Sequence, residues 1–336
     1  VRMLFKHWRE YIKTFCMSVA PTTPEKDHLP EWKDSFVAEY TMLLGEDGFE
    51  SYKDVASRYA PKAIRVNTYK VDVSEVKERL EDDWELTSVP WCDAGYWIEH
   101  REEDRHDIGN LLEHILGYIY VQSAASMIPP VVLDVEPGMR VVDMCAAPGS
   151  KATQLGELVG GDGVVVANDS NGHRLTALGI NAQRLGLDNI IVSNMQGEDL
   201  PGTGYDRVLV DAPCSGTGTI MKSHKSVEMW GDSLVGRMKG IQRLLIRRGF
   251  DLLRPGGVMV YSTCTLQPEE NEGVVSEFVE DRDDAAVEPV DLPLASSDPV
   301  TSWKGTSYDG VDDVLRIHPS DNGTEGFFVA KIRKEE

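Results

Sequence analysis

The residues that could do chemistry fall in three stretches: VVDMCAAPGSKATQL at 141–155, LVDAPCSGTGT at 209–219 and VYSTCTLQPEENE at 260–272. Cys214 and Cys264 each follow an apolar, strand-like run, and Asp211 stands three residues before Cys214. A thiol of lowered pKa at a pocket mouth is a nucleophile, and a nearby carboxyl group can stabilise charge in what it attacks. The first stretch reads as a ligand cradle. Val141, Val142 and Asp143 form a short buried strand, MCAAPGS a tight loop around Gly149, and 151–159 a helix. Strand, loop and helix N-terminus make a nucleotide-sized crevice at the carboxyl end of a parallel strand. Gly149 is followed by Ser150 and preceded by no Gly five residues earlier, so the loop is not a P-loop. It is not a G-x-G-x-x-G loop either.

The elements that must position these residues alternate between strand and helix from Arg140 onward, which predicts βαβ units and a parallel sheet. Candidate strands lie at 141–144, 164–168, 190–193, 207–211, 258–262 and 327–332, and 238–253 reads as a core-packed helix before Pro255. The interval 281–326 is acidic and dotted with Pro and Ser; it reads as a surface insertion with one more strand near 314–317. Ahead of the core, a Pro-rich lead at 21–30 precedes helical spacing at 31–44 and 52–58. A strand at 63–70, a helix at 74–83 and strand-like pieces at 84–89 and 96–99 complete an α+β unit. The apolar segment 111–133 reads as a core helix broken at Pro129 and Pro130.

A chain of 336 residues with 41% apolar content can bury one large core and a small one, and no run approaches a membrane span. Five Cys without a C-x-x-C pair argue against a disulfide framework and a zinc site and fit a reducing, cytoplasmic setting. The balance of 34 Lys+Arg against 56 Asp+Glu, −22 overall, has the wrong sign for approaching phosphates. It reads either as a protein with no nucleic-acid role or as the acidic surface of an organism with high internal salt, where screening tolerates self-repulsion. Residues 1–16 run against that trend at +3 and read as an over-extended start or a disordered lead.

Taken together, CAAPGSK, DAPC and STCTLQPEEN closely resemble the Nop/Sun family of RNA cytosine-5 methyltransferases, from about residue 63 to the final strand, and the acidic composition points to a halophilic archaeal member. The resemblance implies a Rossmann-like class I methyltransferase with a seven-stranded, mostly parallel sheet at 121–336, behind an RNA-binding α+β unit at 17–120. It implies S-adenosylmethionine as donor and a cytosine of tRNA or rRNA as acceptor. It makes Cys264 the nucleophile, Cys214 its release assistant and Asp211 the partner of ring N3. The Glu-Asn-Val triplet that accompanies a Pro-Cys nucleophile in DNA methyltransferases is missing from the matching place.

The donor would lie against Cys145, Ala146, Ala147, Pro148, Gly149, Ser150 and Lys151, with Asp211 close by. Asp169 would meet the ribose, or cap the following helix. Gln196 would hold the adenine amine where the family usually has Asp, with Glu198 or Asp199 as substitutes. Arg65, Asn67 and Lys70 match the family's R-x-N-T-x-K stretch and would contact RNA, or form a solvated edge strand. Lys222 would meet phosphate, or be ordinary loop charge. Two further readings stay open: a methyltransferase of this fold acting on DNA or protein, and a catalytically silent RNA-binding or ribosome-assembly protein.

Overall fold

The computed structural model describes residues 20–336 apart from 22, 103, 104 and 106; the expectations for residues 1–16 lie outside it. The core sheet has the spatial order β10-β14-β9-β8-β5-β6-β7. Its strands are β5 (Arg140–Asp143), β6 (Val164–Asn168), β7 (Ile190–Ser193), β8 (Tyr205–Asp211), β9 (Leu253–Thr263), β10 (Ala285–Glu288) and β14 (Phe327–Lys334). The five from β9 to β7 are parallel, whereas β14 is antiparallel to β9. An eighth strand, β13 (Leu315–Ile317), pairs the first half of β14 on the edge whose second half β10 takes. Runs such as VVVAN and VMVYST suit strands buried on both faces. On one face, Val208, Val210, Met259 and Tyr261 pack with Leu245, Ile246 and Phe250 of α8 (Asp232–Leu252). On the other, Val141, Val165, Leu209 and Val260 pack with Leu155 and Val159 of α5 (Ser150–Val159). Gly249 lets α8 pack against the sheet without a side chain: a Cβ there would stand 2.7 Å from Val210 Cγ2.

The N-terminal unit is an antiparallel sheet ordered β2-β3-β1-β4, from β1 (Ala63–Val66), β2 (Trp84–Ser88), β3 (Gly95–His100) and β4 (Ile119–Val121). Its outer face, with Ile64 and Val66, is covered by Val76 and Leu80 of α2 (Val73–Leu80). Its inner face, with Ala63 and Trp97, joins the core cluster that contains Leu155. The long helix α1 (Asp34–Ala56) kinks at Gly45, and its aromatic residues pack with Trp230 on the methyltransferase side.

Three expectations change. The segment 111–133 is not one helix: α3 (Leu112–Ile115) ends at Gly117, whose φ of 72° a side chain resists, and the β-prone Ile-Tyr-Val that follows pairs with β1. Pro129 and Pro130 then sit in the first turn of α4 (Ile128–Val132), where the missing N–H is harmless. The division at 120/121 consequently cuts β4. The acidic interval 281–326 is built into the fold rather than laid on it: it supplies β10 and β13, and its buried Arg316 bonds both Glu272 oxygens at 2.8 Å.

The third change concerns Arg65 and Asn67. Strand alternation points Arg65 toward α5, and it is only 1% exposed. Its guanidinium bonds both Glu157 oxygens at 2.9 and 2.8 Å, Thr153 Oγ1 at 3.0 Å and Gln122. Asn67 donates to Gly117 O and Leu185 O, both at 2.8 Å, and exposed Lys70 caps Leu116 O at 2.6 Å. Alternation was legible, but which face would be covered was not. The stretch therefore joins the two units, and the donors of Arg65 are engaged within the protein. Removing one partner of a buried ion pair costs about 3–5 kcal/mol. Arg65→Ala is expected to lower the denaturant midpoint by a matching amount; unchanged stability with weakened RNA binding would restore the RNA-contact reading.

Candidate active site

Parallel pairing in register brings the carboxyl ends of four strands to one level. Asp143 pairs with Leu209 and Ala167, and Asp211 with Ser262. Beyond them opens a cleft of about 280 Å³, near the lower end for small-molecule sites. Of the expected donor residues it is lined by Cys145, Ala147, Asp169, Gln196 and Asp211, with Cys214 and Cys264 at its wall. Ala146, Pro148, Gly149 and Ser150 build the turn behind it. Gly149 holds φ 109°, and a Cβ there would sit 3.4 Å from Leu178 Cα. The loop amides are mostly engaged: Ala146 N donates to Asn168 O at 2.7 Å and Ala147 N to Asp169 Oδ2 at 3.2 Å. What remains for a ligand is the first turn of α5, whose amides have no carbonyl of their own helix to bond.

Asp169 is buried at the end of β6, where it also accepts Asn171 N at 2.9 Å and faces Arg174 at 3.2 Å. It does not cap the next helix; Asn171 does, accepting from His173 N and Arg174 N. Arg174 and the apolar Ile241 and Leu245 line the cleft and were missed by sequence reasoning. Ile241 and Leu245 carried a helical period, but nothing in that period showed that one turn of α8 would reach the cleft.

The two cysteines meet. Their Sγ atoms are 3.4 Å apart, and both side chains are half-buried. The hydrogen bond from Cys214 draws the Cys264 thiol below its ordinary range. Burial and Asp211 oppose that shift, while Lys151 and Lys222 aid it. The same bond, with burial, the Cys264 charge and Glu270, pushes Cys214 well up. The contact thus favours negative charge on Cys264 over Cys214. Cys145, raised by burial and Asp143, is an inert thiol by contrast.

Lys151 Nζ bonds Asp211 Oδ2 at 2.7 Å, and Ser262 Oγ donates to Asp211 Oδ1 at 2.9 Å. The Lys151 ammonium is therefore held on Asp211, at the side of the cleft where Cys264 stands. Burial works against that charge, but Asp211 and Asp143 more than offset it, leaving the pKa raised. The loop after Cys214 is not flexible: Thr217 and Gly218 are buried, and a Cβ on Gly218 would meet Gly326 O at 2.4 Å. Lys222, 51% exposed, pairs with Glu325 at 2.5 Å, which mutes the positive spot.

The profile described as 16S rRNA methyltransferase RsmB/F matches residues 130–333, and that of the N-terminal domain of 16S rRNA methyltransferase RsmF matches 32–124. A Pyrococcus abyssi protein named tRNA (cytosine(49)-C(5))-methyltransferase is 40% identical over 315 residues, 92% of this chain and 98% of its own length. The chain belongs to the RsmB/F family of RNA methyltransferases. An Aliivibrio fischeri protein named Ribosomal RNA small subunit methyltransferase F is 41% identical across 90% of this chain, which spans 64% of that longer protein. The solved methyltransferase homologue from Pyrococcus horikoshii superposes with a TM-score of 0.78 at 34% identity, over 90% of this chain and 95% of its own. The Pyrococcus horikoshii NSun6 structure, solved with SFG, shares the fold at a TM-score of 0.77 and 23% identity, over 92% of this chain and 100% of its own.

RsmB/F enzymes use S-adenosylmethionine, and the cleft suits it. A buried carboxylate follows β6 at the rim of the cleft, and Ile241 and Leu245 give it an apolar wall. Asp143 lies buried at the end of β5, next to the cleft residues Met144 and Cys145. It is 1% exposed, accepts Cys145 N at 3.3 Å, and its Oδ2 has no partner among the described residues. Burial, then the nearby Asp211, raises its pKa to about 7. A carboxyl raised on folding contributes stability at low pH that is lost as pH climbs from about 4 in the unfolded chain to the folded value. Asp143→Asn is expected to flatten the fall in Tm between about pH 4 and pH 7. Parallel melting curves for the two proteins would show that Asp143 does not titrate there.

Proposed function

We propose that this RsmB/F enzyme methylates carbon 5 of a tRNA cytosine through a covalent bond from Cys264 to ring carbon 6. The observation that carries the reading is the cysteine pair, 3.4 Å apart beside Lys151 and Asp211. Carbon 5 is a weak nucleophile until a thiolate adds to carbon 6. As the Cys264 sulfur–carbon bond forms, the ring electron pair moves toward N3, where a proton from the Lys151–Asp211 pair meets it. Bound S-adenosylmethionine supplies the electrophilic methyl that carbon 5 then takes.

Once Cys264 is a thioether, the largest influence holding the proton on Cys214 is gone, Glu270 and burial alone remain, and that proton passes to solvent. Cys214 then accepts the carbon-5 proton, the double bond re-forms, N3 returns its proton and Cys264 leaves as thiolate. Asp169 is the residue for the donor's ribose, with Arg174 moving aside. Gln196 and Leu245 face the adenine, and the first turn of α5 takes the carboxylate. The target base must be unpaired or flipped out, since pairing hides carbon 6.

The tRNA reading is supported by the match to the Pyrococcus abyssi tRNA enzyme along 98% of its length. The relatives named for small-subunit rRNA favour a second reading, in which a ribosomal cytosine is the acceptor. The test is to incubate Cys214→Ala with donor and the host's tRNA and ribosomal RNA at molar salt, then run a denaturing gel. A protein–RNA adduct is expected to accumulate with tRNA and to vanish when Cys264 is also replaced. An adduct that survives loss of Cys264 overturns the mechanism; one confined to ribosomal RNA overturns the substrate.

A further inference from the structure

Behind the cysteine pair lies a group that the reaction itself does not use. Glu270 has no exposed surface. Its Oε2 accepts Ser215 N and Gln242 Nε2, both at 2.9 Å, and its Oε1 accepts from Ser215 Oγ. Ser215 directly follows Cys214. Ser215 Oγ in turn lies 2.7 Å from Thr265 Oγ1, and Thr265 directly follows Cys264. Thr265 Oγ1 lies 3.0 Å from Thr217 Oγ1, which accepts from Tyr40 of α1 at 2.5 Å.

Each hydroxyl has one proton to give. A carboxylate at one end therefore sets the direction of the whole chain. Ser215 donates to Glu270, Thr265 to Ser215, Thr217 to Thr265 and Tyr40 to Thr217. Gln242 ties the loop a second time, donating to Pro213 O at 2.8 Å as well as to Glu270. Asn271 clamps the other loop, accepting from Thr263 Oγ1 at 2.6 Å and donating to Thr265 O at 3.0 Å.

We propose that Glu270 is the positioning residue of the cysteine pair: its buried carboxylate anchors a one-way hydroxyl chain through both cysteine loops and sets negative charge behind Cys214, so that Cys214 keeps its proton and Cys264 carries the thiolate. The asymmetry has a geometric basis. Glu270 bonds the residue after Cys214, while Lys151 and Lys222 act on Cys264. Two sulfurs in contact would otherwise share the charge. Gln at 270 is nearly the same size but neutral, and with its NH₂ in the Oε1 position it would donate to Ser215 Oγ, so the carboxylate that fixes the chain's direction is lost.

The role builds on the cysteine chemistry proposed above, but its first test needs no RNA. In a Cys264→Ser background, alkylation of Cys214 by iodoacetamide is followed against pH by peptide mass spectrometry. Glu270→Gln is expected to shift that profile down by about one pH unit. In the Cys264-containing enzyme it is expected to cut kcat at least tenfold with the donor KM unchanged. Ser215→Ala breaks the hydroxyl chain but leaves the charge, so kcat should fall while the Cys214 profile stays put. It stands in for the positioning role if Glu270→Gln does not fold. An unmoved profile in Glu270→Gln, or full kcat in Ser215→Ala, overturns the proposal. A shifted profile without any RNA methylation would instead count against the function proposed above and leave the role of Glu270 intact.

Discussion

The pairing of β8 with β9 is the constraint on which the site depends. Asp211 and Ser262 are register partners at the carboxyl ends of adjacent parallel strands. Their loops therefore leave the sheet side by side, and Cys214 and Cys264 meet although 50 residues separate them. In a parallel sheet that register cannot slip by one residue without turning Val208, Val210, Met259 and Tyr261 away from α8. Core packing and active-site geometry are thus one requirement. The same pairing sets Ser262 Oγ on Asp211, leaving the other carboxylate oxygen for Lys151.

Charge is arranged locally against the grain of the chain. With −22 overall, the protein repels polyanions at long range. At the site, Lys151 is held between Asp211 and Asp143, where burial lengthens the reach of each charge. Asp211, aided by Asp143, favours the protonated lysine, and the lysine favours negative charge on Cys264. Long-range steering is weak in such a protein and is screened by salt, whereas these buried contacts are screened little. An acidic surface and a locally lowered Cys264 pKa are therefore compatible.

The N-terminal unit is more than an accessory. Trp97 and Ala63 belong to the same apolar cluster as Leu155 and Val159, and Arg65 enters the polar layer beside α5. Helix α1 reaches further, with Tyr40 and Tyr52 bonded to Thr217 in the loop after Cys214. Packing from outside the methyltransferase core thereby stiffens a Gly-rich loop that would be mobile on composition alone.

Much of this was legible in the residues. Alternating apolar runs and loops showed a parallel α/β sheet, because strands buried on both faces must be apolar throughout, and the expected core strands overlap those found. The cysteines, Asp211 and the cradle loop stood at strand ends, where such sheets bind ligands. Other features needed the third dimension. Whether Arg65 faced solvent depended on which side of β1 another unit would cover. Lys151 joined the cysteine side only because β8 lies beside β5. Glu270 looked like one acidic residue among 56 Asp and Glu. Sequence determines the period of an element and the chemistry it carries. Burial, and with it the charge state and partners of a buried group, depends on contacts between distant segments, and only the tertiary structure decides those.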